Sequence, residues 1–138
     1  MAEEILVKEP LRSEQIAAGK ELTRVLAGSD LQLVACFWLY TSETNEWRLI
    51  LATPVVDAEG PKKTYALIRQ TLTASSDPSL SLLNISVQSP QNPLVQSIRL
   101  SYDLDLKISG GLRLSRTRVG DVFIEDAYLY FVPPSIRG

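Results

Sequence analysis

The chain has 138 residues, of which 45% are hydrophobic and 22% are charged. This length and balance are typical of one folded domain, so we expect a single domain over residues 1–138 and disfavour disordered, collagen-like and membrane-spanning proteins. Fourteen basic and sixteen acidic residues give a formal charge of −2, which excludes a positive field over the whole protein that would attract nucleic acid.

A helix and a β hairpin are predicted at the start of the chain. Ser13 is a candidate N-cap, and apolar residues then recur at near-helical spacing as far as Gly28. Two apolar segments, 31–40 and 47–53, flank a polar loop, which is the pattern of a hairpin. Because the first of these strands is almost continuously hydrophobic, we expect it to lie at the centre of its sheet.

The middle of the chain is predicted to contain two further helices and a strand. Apolar residues at helical intervals predict a helix over 61–75, which a proline begins. A turn separates this helix from a strand at 85–88. Asn92 is a candidate N-cap with Pro93 in the first helical position, so a short helix is expected over about 92–99.

The C-terminal part of the chain is predicted to form a three-stranded meander. Strict alternation of apolar and polar residues indicates a strand over about 102–109, and the pattern resumes at Leu112 after a glycine turn. A long apolar strand follows over 122–132, in which Glu125 and Asp126 indicate a bulge or an edge position. We therefore predict an α+β domain whose largely antiparallel sheet, the N-terminal hairpin plus this meander, carries two main helices and one short helix.

The residue types that are missing exclude several chemistries. The chain has no histidine, which rules out Ser-His-Asp triads, Cys-His dyads and histidine metal sites. Its single cysteine, Cys36, lies in an apolar segment and is expected to be a buried packing residue. No Walker loop or Gly-x-Gly-x-x-Gly motif is present. Catalysis would have to depend on carboxylates, lysine, tyrosine, serine or a carboxylate-bound metal ion.

One group of charged residues suggests metal-dependent chemistry. Asp103, Asp105 and Lys107 alternate along a predicted strand and so share one face, with Asp77 upstream. Metal-dependent nucleases use such an Asp-x-Lys arrangement, in which Asp77, Asp103 and Asp105 would hold Mg²⁺ or Mn²⁺, and Asp105 and Lys107 would be catalytic. The alternative is a solvated strand face that pairs across the turn with Arg113, Ser115 and Thr117.

A short basic segment is the second candidate site. Arg113, Arg116 and Arg118, together with Lys107, form the only concentrated basic segment of the sequence. The three arginines suggest contact with nucleic-acid phosphates. The segment lacks interleaved aromatic residues that would stack on bases. The alternative is mutual neutralisation across a hairpin with the acidic residues that follow, Asp121, Glu125 and Asp126.

Aromatic residues form the third candidate site. Trp38, Tyr40 and Trp47 flank the first hairpin loop, and Tyr128 and Tyr130 lie on the last strand. Such residues either pack a sheet or anchor a protein partner. If the last strand is apolar on both faces and lies at an edge, a second chain is one way to cover it.

These patterns favour a non-catalytic binding or assembly module that contacts a protein partner, or a second copy of itself, through the aromatic residues. The alternatives are a metal-dependent nuclease or phosphodiesterase and a nucleic-acid-binding protein. No cofactor is expected for the first interpretation. The N-terminus lacks the basic and apolar regions of a signal peptide, and no apolar segment is long enough to span a bilayer, so a cytoplasmic location without membrane association is expected.

Overall fold

The computed structural model describes residues 8–75, 80, 82–102 and 111–130. A 3-10 turn, Leu82–Asn84, precedes the third strand. In chain order the helices and strands of the described residues are α1 (Ser13–Ala27), β1 (Ala35–Thr41), β2 (Glu46–Ala52), α2 (Val55–Glu59), α3 (Pro61–Ser75), β3 (Ile85–Gln88), α4 (Pro93–Ser101), β4 (Leu112–Val119) and β5 (Val122–Leu129).

The five described strands form one mixed sheet in the order β3-β2-β1-β5-β4. The pairs β1–β2, β1–β5 and β4–β5 are antiparallel, whereas β2 and β3 are parallel. A parallel pair requires the chain to return to the starting end of the sheet, and α2 and α3 make this crossover. The α+β class is confirmed, but the sheet is not purely antiparallel.

In the part of the chain that the structure describes, two hydrophobic cores lie on opposite faces of the sheet. The first core contains Cys36 and Trp38 of β1 together with Leu22 of α1 and Ile68 of α3. The second core contains Phe37 of β1 and the buried residues of α4. Because successive strand residues point to opposite faces, β1 is apolar on both sides. The predicted central position of this strand is confirmed.

The helix boundaries follow local capping. Asn92 is the N-cap of α4, and its side-chain oxygen accepts hydrogen bonds from the backbone N–H of Leu94 at 2.9 Å and of Val95 at 3.4 Å. Helix α1 begins one residue earlier than the serine cap implied, because the backbone N–H of Arg12 donates to Gln15 Oε1 at 2.9 Å. Helix α2 was not predicted, because five residues are too few to show a helical period.

The predicted edge position of the last strand is wrong. Strand β5 lies between β1 and β4, so backbone partners flank it on both sides. Arg116 has a φ of 49°, but the register between β4 and β5 is the same on both sides of it, so no residue is inserted there. Ile124 and Ala127 are three positions apart and would lie on opposite faces of a regular strand, but both belong to the same core. The alternation of side chains between the two faces therefore shifts by one residue between Ile124 and Ala127.

The predicted meander is observed only in its last two strands. Of the predicted strand over 102–109, Tyr102 lies at the C-terminal end of α4, and 103–109 lie outside the described residues. Residues 131 and 132, at the end of the last predicted strand, also lie outside them. Within the described ranges, strand β4 forms one edge of the sheet and β3 forms the other.

Candidate functional site

The charged group at the centre of the candidate site is a buried carboxylate on β5. Asp126 is only 1% exposed, and Arg113 donates to it through Nε to Oδ1 at 2.7 Å and through Nη2 to Oδ2 at 2.8 Å. The Ser115 hydroxyl donates to Oδ1 at 3.2 Å, and the Lys8 ammonium forms an ion pair with Oδ2. Ser115 is directly opposite Asp126 in the β4–β5 register, and Arg113 is its diagonal neighbour.

These donors keep Asp126 ionised. Burial raises the pKa of Asp126, but the hydrogen bonds from Arg113 and Lys8 more than reverse this effect and lower its pKa to about 2. The hydrogen bond to Asp126 raises the pKa of Arg113 in turn. A carboxylate with so low a pKa is a poor proton acceptor at neutral pH, so its chemistry here is to hold cations.

Two aromatic rings lie beneath these cations. Tyr40 and Trp47 are directly opposite each other in the β1–β2 register, with ring centroids 5.5 Å apart. The Lys8 ammonium lies 4.8 Å from the centre of the Tyr40 ring and 5.7 Å from that of Trp47. The Arg113 guanidinium carbon lies 5.4 Å from the Trp47 ring centre. These distances are within the range of favourable cation–π contact.

The backbone beside Lys8 is also held. The Trp47 indole N–H donates to the carbonyl oxygen of Glu9 at 2.7 Å. The Glu9 N–H donates to Asn45 Oδ1 at 3.1 Å, and the same oxygen accepts the Tyr40 hydroxyl at 2.6 Å. Asn45 has a φ of 52° in the β1–β2 loop, a conformation that asparagine tolerates better than most residues.

A polar cavity of about 320 Å³ lies beside this segment. Its walls come from the segment before α1, the start of α1, the β1–β2 hairpin and the turn before β3. The residues that line it are Glu9, Pro10, Arg12, Gln15, Asn45, Glu46, Trp47 and Asn84.

Trp38 and Tyr130, two of the remaining aromatic residues, attach α1 to the sheet. Trp38 is fully buried, and its indole N–H donates to the Tyr130 hydroxyl at 2.8 Å. That hydroxyl donates to the carbonyl oxygen of Ile16 at 2.7 Å, and burial raises the pKa of Tyr130. Gly19 of α1 lies so close that an added Cβ would be 2.3 Å from the Tyr130 hydroxyl. Tyr128 is half-buried and accepts a hydrogen bond from the backbone N–H of Gly111 at 3.1 Å.

The three predicted arginines are in different environments. Arg113 is neutralised by Asp126, as the charge-pairing alternative expected. Arg116 and Arg118 are exposed, and within the described ranges neither forms an ion pair. Arg118 is directly opposite Phe123, a residue that is 54% exposed. Phe123 is not among the site residues that the sequence predicts. A signal for it was present, because pairing residues outward from the turn at Gly120 places Phe123 opposite Arg118.

The structure does not test the predicted metal-binding residues. Asp77, Asp103, Asp105 and Lys107 are outside the described residues. Within the described ranges, no group of three or more acidic or cysteine side chains is arranged to hold a metal ion. No helix in the same ranges is both long and apolar enough to cross a membrane.

No protein-family model matches the chain, and no curated protein or solved structure is significantly similar to it.

Proposed function

We propose that the chain is a non-catalytic binding module whose partner is a protein with an acidic contact surface. The contact would be made by Arg116, Arg118 and Phe123, which we call the hairpin surface. The observation that carries the proposal is the pairing of Arg118 with Phe123, because it presents an exposed aromatic ring beside an exposed cation on two hydrogen-bonded strands. Aromatic and arginine side chains are enriched at the centres of protein interfaces.

The rigidity of the hairpin supports this function. The antiparallel pairing of β4 with β5 holds Arg118 and Phe123 side by side before any partner arrives. A preformed contact surface loses less conformational entropy on binding than a flexible loop does. Phe123 remains 54% exposed, so its ring is accessible to a partner beside the guanidinium group of Arg118.

The charge of the hairpin surface indicates the chemistry of the partner. Among the described residues no carboxylate forms an ion pair with Arg116 or Arg118. Two such guanidinium groups favour a surface that presents Asp or Glu side chains. A nucleic acid also presents anions, but the chain has a formal charge of −2 and so does not attract a long polyanion from a distance.

Site-specific photo-crosslinking in the native cells tests this proposal. A benzophenone amino acid is placed at position 123 and, as a matched control, at position 83, because Leu83 is 85% exposed beside the opposite edge strand. We expect one defined protein adduct at position 123 that is absent at position 83. The adduct should be lost when Arg118→Glu is added and retained when Lys20→Glu is added, because Lys20 is an exposed cation on α1.

Three outcomes would contradict the proposal. The first is an absence of adducts at position 123, and the second is the same adducts at positions 123 and 83. The third is an adduct that nuclease treatment removes, which would instead favour the nucleic-acid alternative.

A further inference from the structure

We propose that Asp126, Tyr40, Trp47 and Asn45 form a peptide-binding site that recognises a lysine side chain together with the backbone of the following residue. In this structure the chain's own Lys8 and Glu9 fill the site. The external ligand would be a lysine-containing segment of a partner protein, which exchanges with Lys8. This peptide site shares no residue with the hairpin surface, so either proposal can fail without the other.

The contacts of Lys8 are those of a lysine receptor. A buried carboxylate, Asp126, pairs with the ammonium group, and the rings of Tyr40 and Trp47 lie within 4.8 and 5.7 Å of it. A carboxylate and aromatic faces together select an alkylammonium over a neutral side chain of similar length. The Lys8 side chain remains 44% exposed, so this lysine lies at the protein surface.

The contacts of Glu9 are those of a bound peptide backbone. Its carbonyl oxygen accepts the Trp47 indole N–H, and its N–H donates to Asn45. Both contacts use main-chain atoms, so any residue except proline, which has no backbone N–H, can follow the lysine. Glu9 also precedes Pro10, and the residue before a proline is biased towards an extended backbone, as in peptides that bind along protein surfaces.

The receptor side of the peptide site is held in place without Lys8. Asp126 keeps two hydrogen bonds from Arg113 and one from Ser115. Tyr40 pairs with Trp47 across β1 and β2, and its hydroxyl donates to Asn45. Departure of Lys8 therefore leaves a carboxylate that is still paired and two rings that are still packed, which is the condition for exchange of one lysine for another.

Competition from Lys8 determines what the experiment should show. A segment tethered within the same chain has an effective concentration in the millimolar range. The variant Lys8→Ala loses the ammonium contacts and keeps only the two backbone contacts of Glu9, so its tethered segment is held less tightly and a free peptide should displace it. The probe is an acetylated and amidated peptide with the sequence of residues 6–10, Leu-Val-Lys-Glu-Pro.

Titration followed by NMR of the two tryptophan indole N–H groups measures this binding. In Lys8→Ala we expect the Trp47 resonance to shift with added peptide, while the buried Trp38 resonance stays in place. Binding to the wild type should be weaker by about tenfold or more, because the tethered lysine competes. A peptide with glutamine in place of lysine should also bind Lys8→Ala about tenfold more weakly, since it lacks the cation.

Several outcomes would overturn the proposal. One is a lack of any peptide-dependent shift in a Lys8→Ala protein whose amide spectrum shows that it is folded. Equal binding to the wild type and to Lys8→Ala would show that Lys8 does not occupy the peptide site. Equal binding of the lysine and glutamine peptides would show that the site does not select an ammonium group. The glutamine peptide keeps this test valid without a variant at the buried Asp126.

Discussion

Replacing the buried carboxylate of Asp126 by its neutral isostere, asparagine, should lower the free energy of unfolding. The size of the decrease depends on the ion pairs that the carboxylate forms. Asp126→Asn keeps the side-chain shape but removes the charge that Arg113 and Lys8 share. Each pKa unit corresponds to about 1.4 kcal/mol. A fall in the pKa of Asp126 from 3.8 to about 2 therefore stabilises the folded protein by about 2 kcal/mol at neutral pH.

The pH dependence of this difference has a definite sign. A carboxyl group whose pKa is lower in the folded state stabilises that state fully above its unfolded pKa, and the stabilisation is lost as the pH falls through the folded pKa. About 2 kcal/mol at pH 7 should thus decline to about 1 kcal/mol at pH 3 and approach zero below pH 2. The asparagine variant has no titrating group at this position, so the wild-type advantage shrinks as the pH falls.

Urea unfolding followed by tryptophan fluorescence at pH 7, 5 and 3 measures the difference in the free energy of unfolding. The matched control is Glu21→Gln, which removes one carboxylate from the exposed pair between Glu21 and Arg24. We expect little change in the control, because exposed ion pairs contribute little to stability. A variant as stable as the wild type at pH 7, or a difference that stays constant down to pH 3, would refute the reasoning.

Three further predictions concern the core and the helices. Gly19→Ala should destabilise the protein by about 1 to 3 kcal/mol in a thermal unfolding assay, because its Cβ would overlap the Tyr130 hydroxyl. Gly28→Ala is the control and should be close to neutral in the same assay, because the nearest contact of its Cβ would be 3.8 Å away. Asn92→Ala should cost about 1 kcal/mol by removing the cap of α4, while Asn92→Asp should retain most of the stability; equal losses would contradict the capping assignment. Cys36 is fully buried, and burial raises its pKa to about 12. A thiol reagent at pH 8 should therefore modify Cys36 only after urea unfolding. Rapid modification of the folded protein would disprove this burial.

Local sequence patterns determined most of the secondary structure. Asn92 and Pro93 specify the start of α4 through capping and a fixed φ, which involve only adjacent residues. The apolar segment before the first hairpin loop specified a central strand, because only a strand covered on both faces buries consecutive apolar residues. These features depend on residues close together in the chain, so the pattern contains the necessary information.

The sequence did not determine the position of the last strand or the direction of β3. An apolar strand is consistent with an edge that a second chain covers and with an interior position between two other strands. The tertiary structure decides in favour of the interior, since β5 pairs with both β1 and β4. The direction of β3 depends on how α3 packs across the sheet, which no local pattern encodes.

The sequence by itself determined which groups were available: no histidine, a single cysteine, and a set of aromatic, acidic and basic side chains. Only the tertiary structure decided which of them meet. Lys8 and Asp126 are 118 positions apart and lie together because β5 pairs with β1, which brings Asp126 opposite Tyr40. Strand register is a long-range property, and for that reason the composition predicted the kinds of contact but not the residues that make them.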